Sequence, residues 1–121
     1  MKANETFGEC IRSLREAKKR TDPSFSLRRF AQKLEVSATY LSKVETNESP
    51  PPTADKIKLI AELLETDADE LLALAGKVDP ILPQIIREQP RAVADLLRTV
   101  QQAGLTNEQI AKLTNQAKRM K

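Results

Sequence analysis

No histidine occurs in this chain, and its single cysteine, Cys10, stands alone. Histidine-based triads and His/Cys metal clusters are therefore excluded, and an internal disulfide cannot form. Cys10 reads as a small buried residue of the first helix rather than a redox switch, since no CxxC accompanies it. Only three glycines are present, and none belongs to a phosphate-cradling motif. Long apolar runs are missing too: the stretches around Ile60-Ala61 and Leu71 to Gly76 fall far short of a membrane span. The opening Met-Lys-Ala-Asn lacks a signal-peptide core, so a cytoplasmic location is expected. Glu62, Glu65, Asp67, Asp69 and Glu70 crowd together, but helix capping and helix-surface duties account for them. Neither catalysis nor a cofactor nor a metal is expected.

What is present fits one compact domain with an appendage: 121 residues, 40% hydrophobic and 31% charged. The net charge of +3 conceals a strong asymmetry. Residues 1–46 carry ten Lys/Arg against six Asp/Glu, residues 47–79 three against eight, and residues 80–121 seven against three. A basic block thus precedes an acidic one, the distribution expected if one face of the domain meets phosphate.

The basic block contains the most informative segment, Ser26 to Glu45, which reads as two short helices joined by a tight turn. Ser26 is a good N-cap, and Phe30, Ala31 and Leu34 recur at the spacing of one helical face. Val36 occupies the turn and Ser37 offers a second N-cap. Leu41 and Val44 then form an apolar stripe, while Ala38, Thr39, Tyr40, Ser42 and Lys43 point elsewhere. A helix with such a polar outer face, braced across a partner, suits a groove about 12 Å wide as the second element of a helix-turn-helix.

The segment resembles the Cro/CI (XRE-type) family of bacterial and phage transcriptional regulators, over a span from about Phe7 to about Ala75. The residues that carry the resemblance are Phe25, Ser26, Phe30-Ala31, Leu34, Val36-Ser37 and Val44-Glu45. Two positions depart from the pattern: Glu35 replaces the turn glycine, and Leu27 stands where a glutamine often opens the first motif helix. A left-handed Glu35 would cost roughly 1 kcal/mol. The phosphate or base contact of the glutamine does not transfer to Leu27. The resemblance implies an all-α fold, a five-helix lambda-repressor-like domain over residues 1–78. It also implies that Arg15 of the first helix pairs with Glu45 beneath the DNA-facing surface.

The remaining helices follow from local signals. The first runs from about Glu5 to Lys19, with Phe7, Ile11 and Leu14 on one face, and Asp22-Pro23 breaks it. Asn47 suits a left-handed cap after the recognition helix, and Pro50, Pro51 and Pro52 force an extended crossing to the Thr53 cap. Ile57, Ile60, Ala61 and Leu64 face inward from the next helix, and the Asp67-Ala-Asp-Glu70 capping box opens a fifth that buries Leu71 and Leu72. Beyond, over residues 79–121, short amphipathic stretches carry Ile81, Leu82, Ile85 and Ile86, then Val93, Leu96, Leu97 and Val100. A last helix begins at the Thr106-Asn-Glu-Gln109 capping box and carries Ile110 and Leu113. Roughly forty residues cannot enclose a stable core alone. Their stripes must be buried against the first domain, a second copy of the chain or another protein. Self-association through Ile81, Ile85, Ile86, Val93, Leu96, Leu97, Val100, Ile110 and Leu113 is favoured, because two-fold operators present half-sites about 34 Å apart. The basic end, Lys118, Arg119 and Lys121, reads as a solvated tail.

The expected DNA-binding set is Arg28, Arg29, Ser37, Ala38, Thr39, Tyr40, Ser42, Lys43, Thr46 and Asn47. Arg28 and Arg29 lie in the first turn of a helix, where the helix dipole disfavours cations by up to roughly 1 kcal/mol each. A sequence accepts such a conflict where a partner's phosphate resolves it. Ala38 and Thr39 offer methyl contacts to thymine and Thr39 a hydroxyl, and Lys43 reaches guanine or phosphate. Tyr40 either stacks against the DNA backbone or covers the loop. Thr46 and Asn47 are further phosphate candidates. Lacking a bidentate Arg, Asn or Gln among base-facing positions, the helix should lean on DNA shape and dimer spacing for specificity. The expectation is a homodimeric, sequence-specific repressor binding double-stranded DNA. The alternative is an antitoxin or interaction module whose C-terminal helices hold a toxin or other protein partner.

Overall fold

The computed structural model describes residues 4–120, and every regular element among them is helical. The chain divides into two compact units, one ending at Pro80 and the other beginning at Ile81. Lys121 of the basic end lies outside the described residues.

The first unit comprises α1 (Phe7–Lys19), a 3-10 turn (Pro23–Phe25), α2 (Leu27–Lys33), α3 (Ala38–Glu45), α4 (Ala54–Leu64) and α5 (Ala68–Leu74). Each begins at a side chain that accepts a hydrogen bond from an otherwise orphaned N–H. Thr6 takes the Glu9 N–H, Asp22 that of Ser24, Ser26 that of Arg29, Ser37 that of Tyr40, Thr53 that of Lys56 and Asp67 that of Glu70. Helix α1 therefore starts at Phe7, two residues later than expected, because Thr6 holds the extended backbone of a cap.

The same economy governs the helix ends. After α2, Glu35 turns left-handed at φ 58°, its N–H donating to Gln32 O and the Val36 N–H to Ala31 O. That is a Schellman closure, and it makes the tight turn between α2 and α3. Asn47 (φ 66°) closes α3 in the same way, with the Glu48 N–H donating to Lys43 O, and Glu65 (φ 55°) closes α4. Two of the three closures thus use glutamate where glycine would carry no steric cost.

These closures fold the helices around one core, built from Phe7, Cys10 and Ile11 of α1, Phe25, Phe30, Ala31 and Leu34, Leu41 and Val44 of α3, and the inward faces of α4 and α5. The Phe25 and Phe30 rings meet at 5.7 Å between centroids. Buried Cys10 has its thiol pKa pushed up to about 11, chiefly by burial, which keeps it protonated and inert. Lys58 reaches Asp79 at 3.1 Å and ties down the end of the unit.

The second unit holds α6 (Ile81–Glu88), α7 (Pro90–Gln102) and α8 (Asn107–Arg119). Pro90 sits in the first turn of α7, where its missing N–H costs nothing. Both bonds of the capping box form at α8: the Gln109 N–H donates to Thr106 Oγ1 at 3.2 Å, and the Thr106 N–H to Gln109 Oε1 at 2.9 Å. None of these three helices contains a fully buried residue. Among the described residues, no helix is long and apolar enough to cross a membrane.

Candidate nucleic-acid interface

Helices α2 and α3 bury Phe30, Ala31, Leu34, Leu41 and Val44, so helical periodicity turns their other faces outward. Arg28 and Arg29 of α2 are exposed, as are Ser37, Thr39, Lys43, Thr46 and Asn47 along α3 and its ends. Ala38, Tyr40 and Ser42 are half-buried, and Ala38 and Tyr40 pack against the core. They straddle the rim of the apolar stripe, and the partial cover of Tyr40 agrees with its reading as a ring laid over the neighbouring chain rather than held out in solvent. Leu27, Ala38, Thr39, Ser42, Lys43 and Glu48 together line a shallow depression between the start of α2 and the outer side of α3.

Beneath this surface lies one charged pair. Arg15 and Glu45 are 3% and 4% exposed, and burial to that degree is tolerable only because each is satisfied. The guanidinium donates from Nε to Glu45 Oε2 at 2.7 Å and from Nη2 to Glu45 Oε1 at 2.9 Å, a bidentate fork. Its Nη1 donates to the Phe25 carbonyl at 3.1 Å, and Nη2 also reaches Glu16 at 3.2 Å. The bond to Glu45 holds the Arg15 pKa above the usual arginine range, outweighing burial. One side chain of α1 thereby fixes the end of α3 relative to the turn that precedes α2.

The cations of the first unit fall into two groups. Arg15, Lys18, Lys33, Lys56 and Lys58 are engaged internally: Lys18 with Glu65, Lys33 with Ser24 Oγ and the Phe25 ring, and Lys56 with the Leu34 carbonyl at 2.6 Å. The side chains of Arg12, Lys19, Arg20, Arg28, Arg29, Lys43 and Lys77 have no partner among the described residues. Three of the unpartnered ones, Arg28, Arg29 and Lys43, belong to α2 and α3. Thr46 behaves differently from its neighbours. Its hydroxyl lies within bonding distance of Ser42 O, Lys43 O and Glu48 Oε2, so its one proton is already committed. Glu48 adds a negative charge at that end of the depression.

Two supports escaped the reading of the sequence. Lys56 of α4 satisfies a carbonyl at the end of α2 and so braces the turn from outside, a role no local pattern signals. Gly8 lets α1 run against the end of α3: a Cβ there would press on Val44 O and stand 2.8 Å from Glu45 O and 2.7 Å from Asn47 Oδ1. A glycine in the second half-turn of a helix, where its propensity is poor, was the available hint.

A family model described as a helix-turn-helix domain matches residues 6–74, more than half of the chain, in agreement with the span of the Cro/CI resemblance. No curated protein and no solved structure matches the chain.

Proposed function

The chain belongs to the helix-turn-helix domain family, of the Cro/CI kind, and from that premise we propose that it is a sequence-specific, homodimeric transcriptional repressor that occupies promoter DNA. The observation that carries this reading is the set of unpartnered cations Arg28, Arg29 and Lys43 around exposed Thr39, on two helices locked together by the Schellman turn and the Arg15–Glu45 pair. Preassembly of this surface means that little order has to be created on binding. Arg28 and Arg29 contact phosphate, Thr39 and the rim methyl of Ala38 meet thymine, and Lys43 reaches guanine or phosphate. Asn47 and Ser37 add phosphate contacts at the two ends of α3, Ser42 and Tyr40 line the approach, and a contact from Thr46 requires its hydroxyl to leave Glu48. The mechanism is binding, without catalysis, in the cytoplasm.

Dimerisation belongs to the second unit. Ile81, Ile85, Leu96, Leu97, Ile110 and Leu113 are exposed there, and Ile86, Val93 and Val100 half-buried. Covering them with a second copy removes this apolar surface from water and sets two recognition helices on one two-fold axis. The same residues support the second reading, an antitoxin or interaction module that grips another protein.

Selection of bound sequences from random duplexes, with the mass of the protein measured in solution, tests the proposal. A preferred two-fold sequence and a mass twice that of the chain are expected. Replacing Thr39 and Lys43 together by alanine should erase the preference while leaving the melting curve in place, since both side chains are exposed. No duplex affinity at low salt would leave the partner-binding reading alone standing.

A further inference from the structure

Beside the depression that Thr39 and Lys43 line, the first unit carries a second, more polar cleft. Arg12, Arg15, Glu16 and Lys19 form one wall of it, at the i, i+3, i+4, i+7 spacing of a single face of α1. Leu27, Ser42, Glu45 and Thr46 form the other. The two hollows share Leu27 and Ser42, so they are neighbours on one surface.

Within the cleft the charges are unevenly satisfied. Arg15 and Glu45 neutralise each other on its floor, and Glu16 gives its carboxylate to Arg15 although it also stands one turn from Arg12. Arg12 and Lys19 are left exposed on the rim without a partner. Lys19 lies in the last turn of α1, where the helix dipole favours a cation, whereas Arg12 loses the carboxylate one turn away to Arg15. What Arg12 and Lys19 share with Arg28 and Arg29 is that folding leaves them exposed and unpartnered.

We propose that Arg12 and Lys19 form a phosphate clamp that extends the DNA interface from α2 and α3 onto α1, gripping the backbone strand that borders the groove filled by α3. Packed helices lie about 8–10 Å apart, while half the width of a major groove is about 6 Å. A cation row on the helix next to the recognition helix is thus offset far enough to meet the flanking strand rather than the bases. The clamp supplies affinity and register without sequence information. It rests on the DNA-binding reading given above.

Salt-titrated binding of the full chain to its selected duplex and to a random duplex tests the clamp, with Arg12→Gln, Lys19→Gln, Arg12→Lys and the control Lys77→Gln. Lys77 is also exposed and unpartnered but lies outside the cleft. Each clamp variant to glutamine removes one contact from each protomer of the homodimer and should flatten the slope of log affinity against log salt by about 1.8, which between 50 and 200 mM salt is about 12-fold less loss of affinity. The weakening at low salt should be the same for both duplexes, Arg12→Lys should keep the original slope, and the melting temperature of every variant should stay within the few degrees that one helix-surface charge commands. Duplex binding by the unaltered chain, with slopes unchanged in Arg12→Gln and Lys19→Gln or lowered equally in Lys77→Gln, overturns the clamp and spares the DNA-binding reading. Absence of duplex binding by the unaltered chain defeats both.

Discussion

Replacing Arg15 by methionine removes the one cation that, among the described residues, pairs with buried Glu45. The loss can be sized from the contacts: a bidentate pair at 2.7 and 2.9 Å, a donor to the Phe25 carbonyl at 3.1 Å, and a partner 4% exposed that cannot turn to water. Stranding one member of a buried pair costs about 3–5 kcal/mol, and the orphaned Phe25 carbonyl contributes within that range. Set against a total of about 5–15 kcal/mol for a small domain, such a change removes a large share of the stability. At about 4–8 °C per kcal/mol it lowers the melting temperature by roughly 12–40 °C. Arg15→Met combined with Glu45→Leu should recover most of the loss, because two apolar side chains need no partner. Urea denaturation of the four proteins, compared as a double-mutant cycle, reads the coupling directly. The sign with pH is fixed as well. The Arg15 pKa is raised, so its contribution is fully present below the unfolded arginine pKa and fades only in strong alkali. If Arg15→Met costs less than about 1 kcal/mol, or the double variant is as unstable as the sum of the singles, the pair does not organise the fold.

Four further substitutions test the interface and its supports. Arg28→Ala and Arg29→Ala remove cations from the first turn of α2, so each should stabilise the fold by about 0.3–1 kcal/mol while flattening the salt dependence of duplex binding by about 1.8, one phosphate contact for each protomer of the dimer. A variant that loses stability and binding together would show that these arginines are structural. Gly8→Ala should destabilise by about 1–3 kcal/mol in chemical denaturation, because its methyl group meets the Val44 and Glu45 carbonyls; stabilisation, as helix propensity alone predicts, would refute the close approach. Glu35→Gly should stabilise by about 0.5–1 kcal/mol, since the left-handed backbone at φ 58° is costlier for glutamate than the extra unfolded-state freedom of glycine. A lower denaturation midpoint would show that the Glu35 side chain contributes something its exposed position does not reveal.

The features legible in the sequence are those decided within a few residues, together with the Arg15–Glu45 pair, which the family resemblance implied across 30 positions. Ser26, Ser37, Thr53, Asp67 and Thr106 could be read as caps because the hydroxyl or carboxylate and the N–H it accepts from lie three residues apart. The buried faces of α1 to α5 followed from the same short periods. What stayed hidden depends on elements far apart in the chain. Glu16 and Arg12 stand at a spacing that suggests a surface pair, yet Arg15 takes the carboxylate because α3 holds Glu45 beside it. Lys56 resembles any other helix-surface lysine until the end of α2 arrives beneath it. Tyr40 and Ala38 belong to the polar side of a helical wheel, but the neighbouring helices crowd the rim and half-bury them. Charge counted along the chain has the same weakness: it marks residues 1–46 as basic, and only the fold distinguishes Lys18 and Lys33, which are spent internally, from Arg12, Lys19, Arg28, Arg29 and Lys43, which are not. For a protein that works by meeting phosphate, the cations left over after folding define the interface, and that remainder is a property of three dimensions.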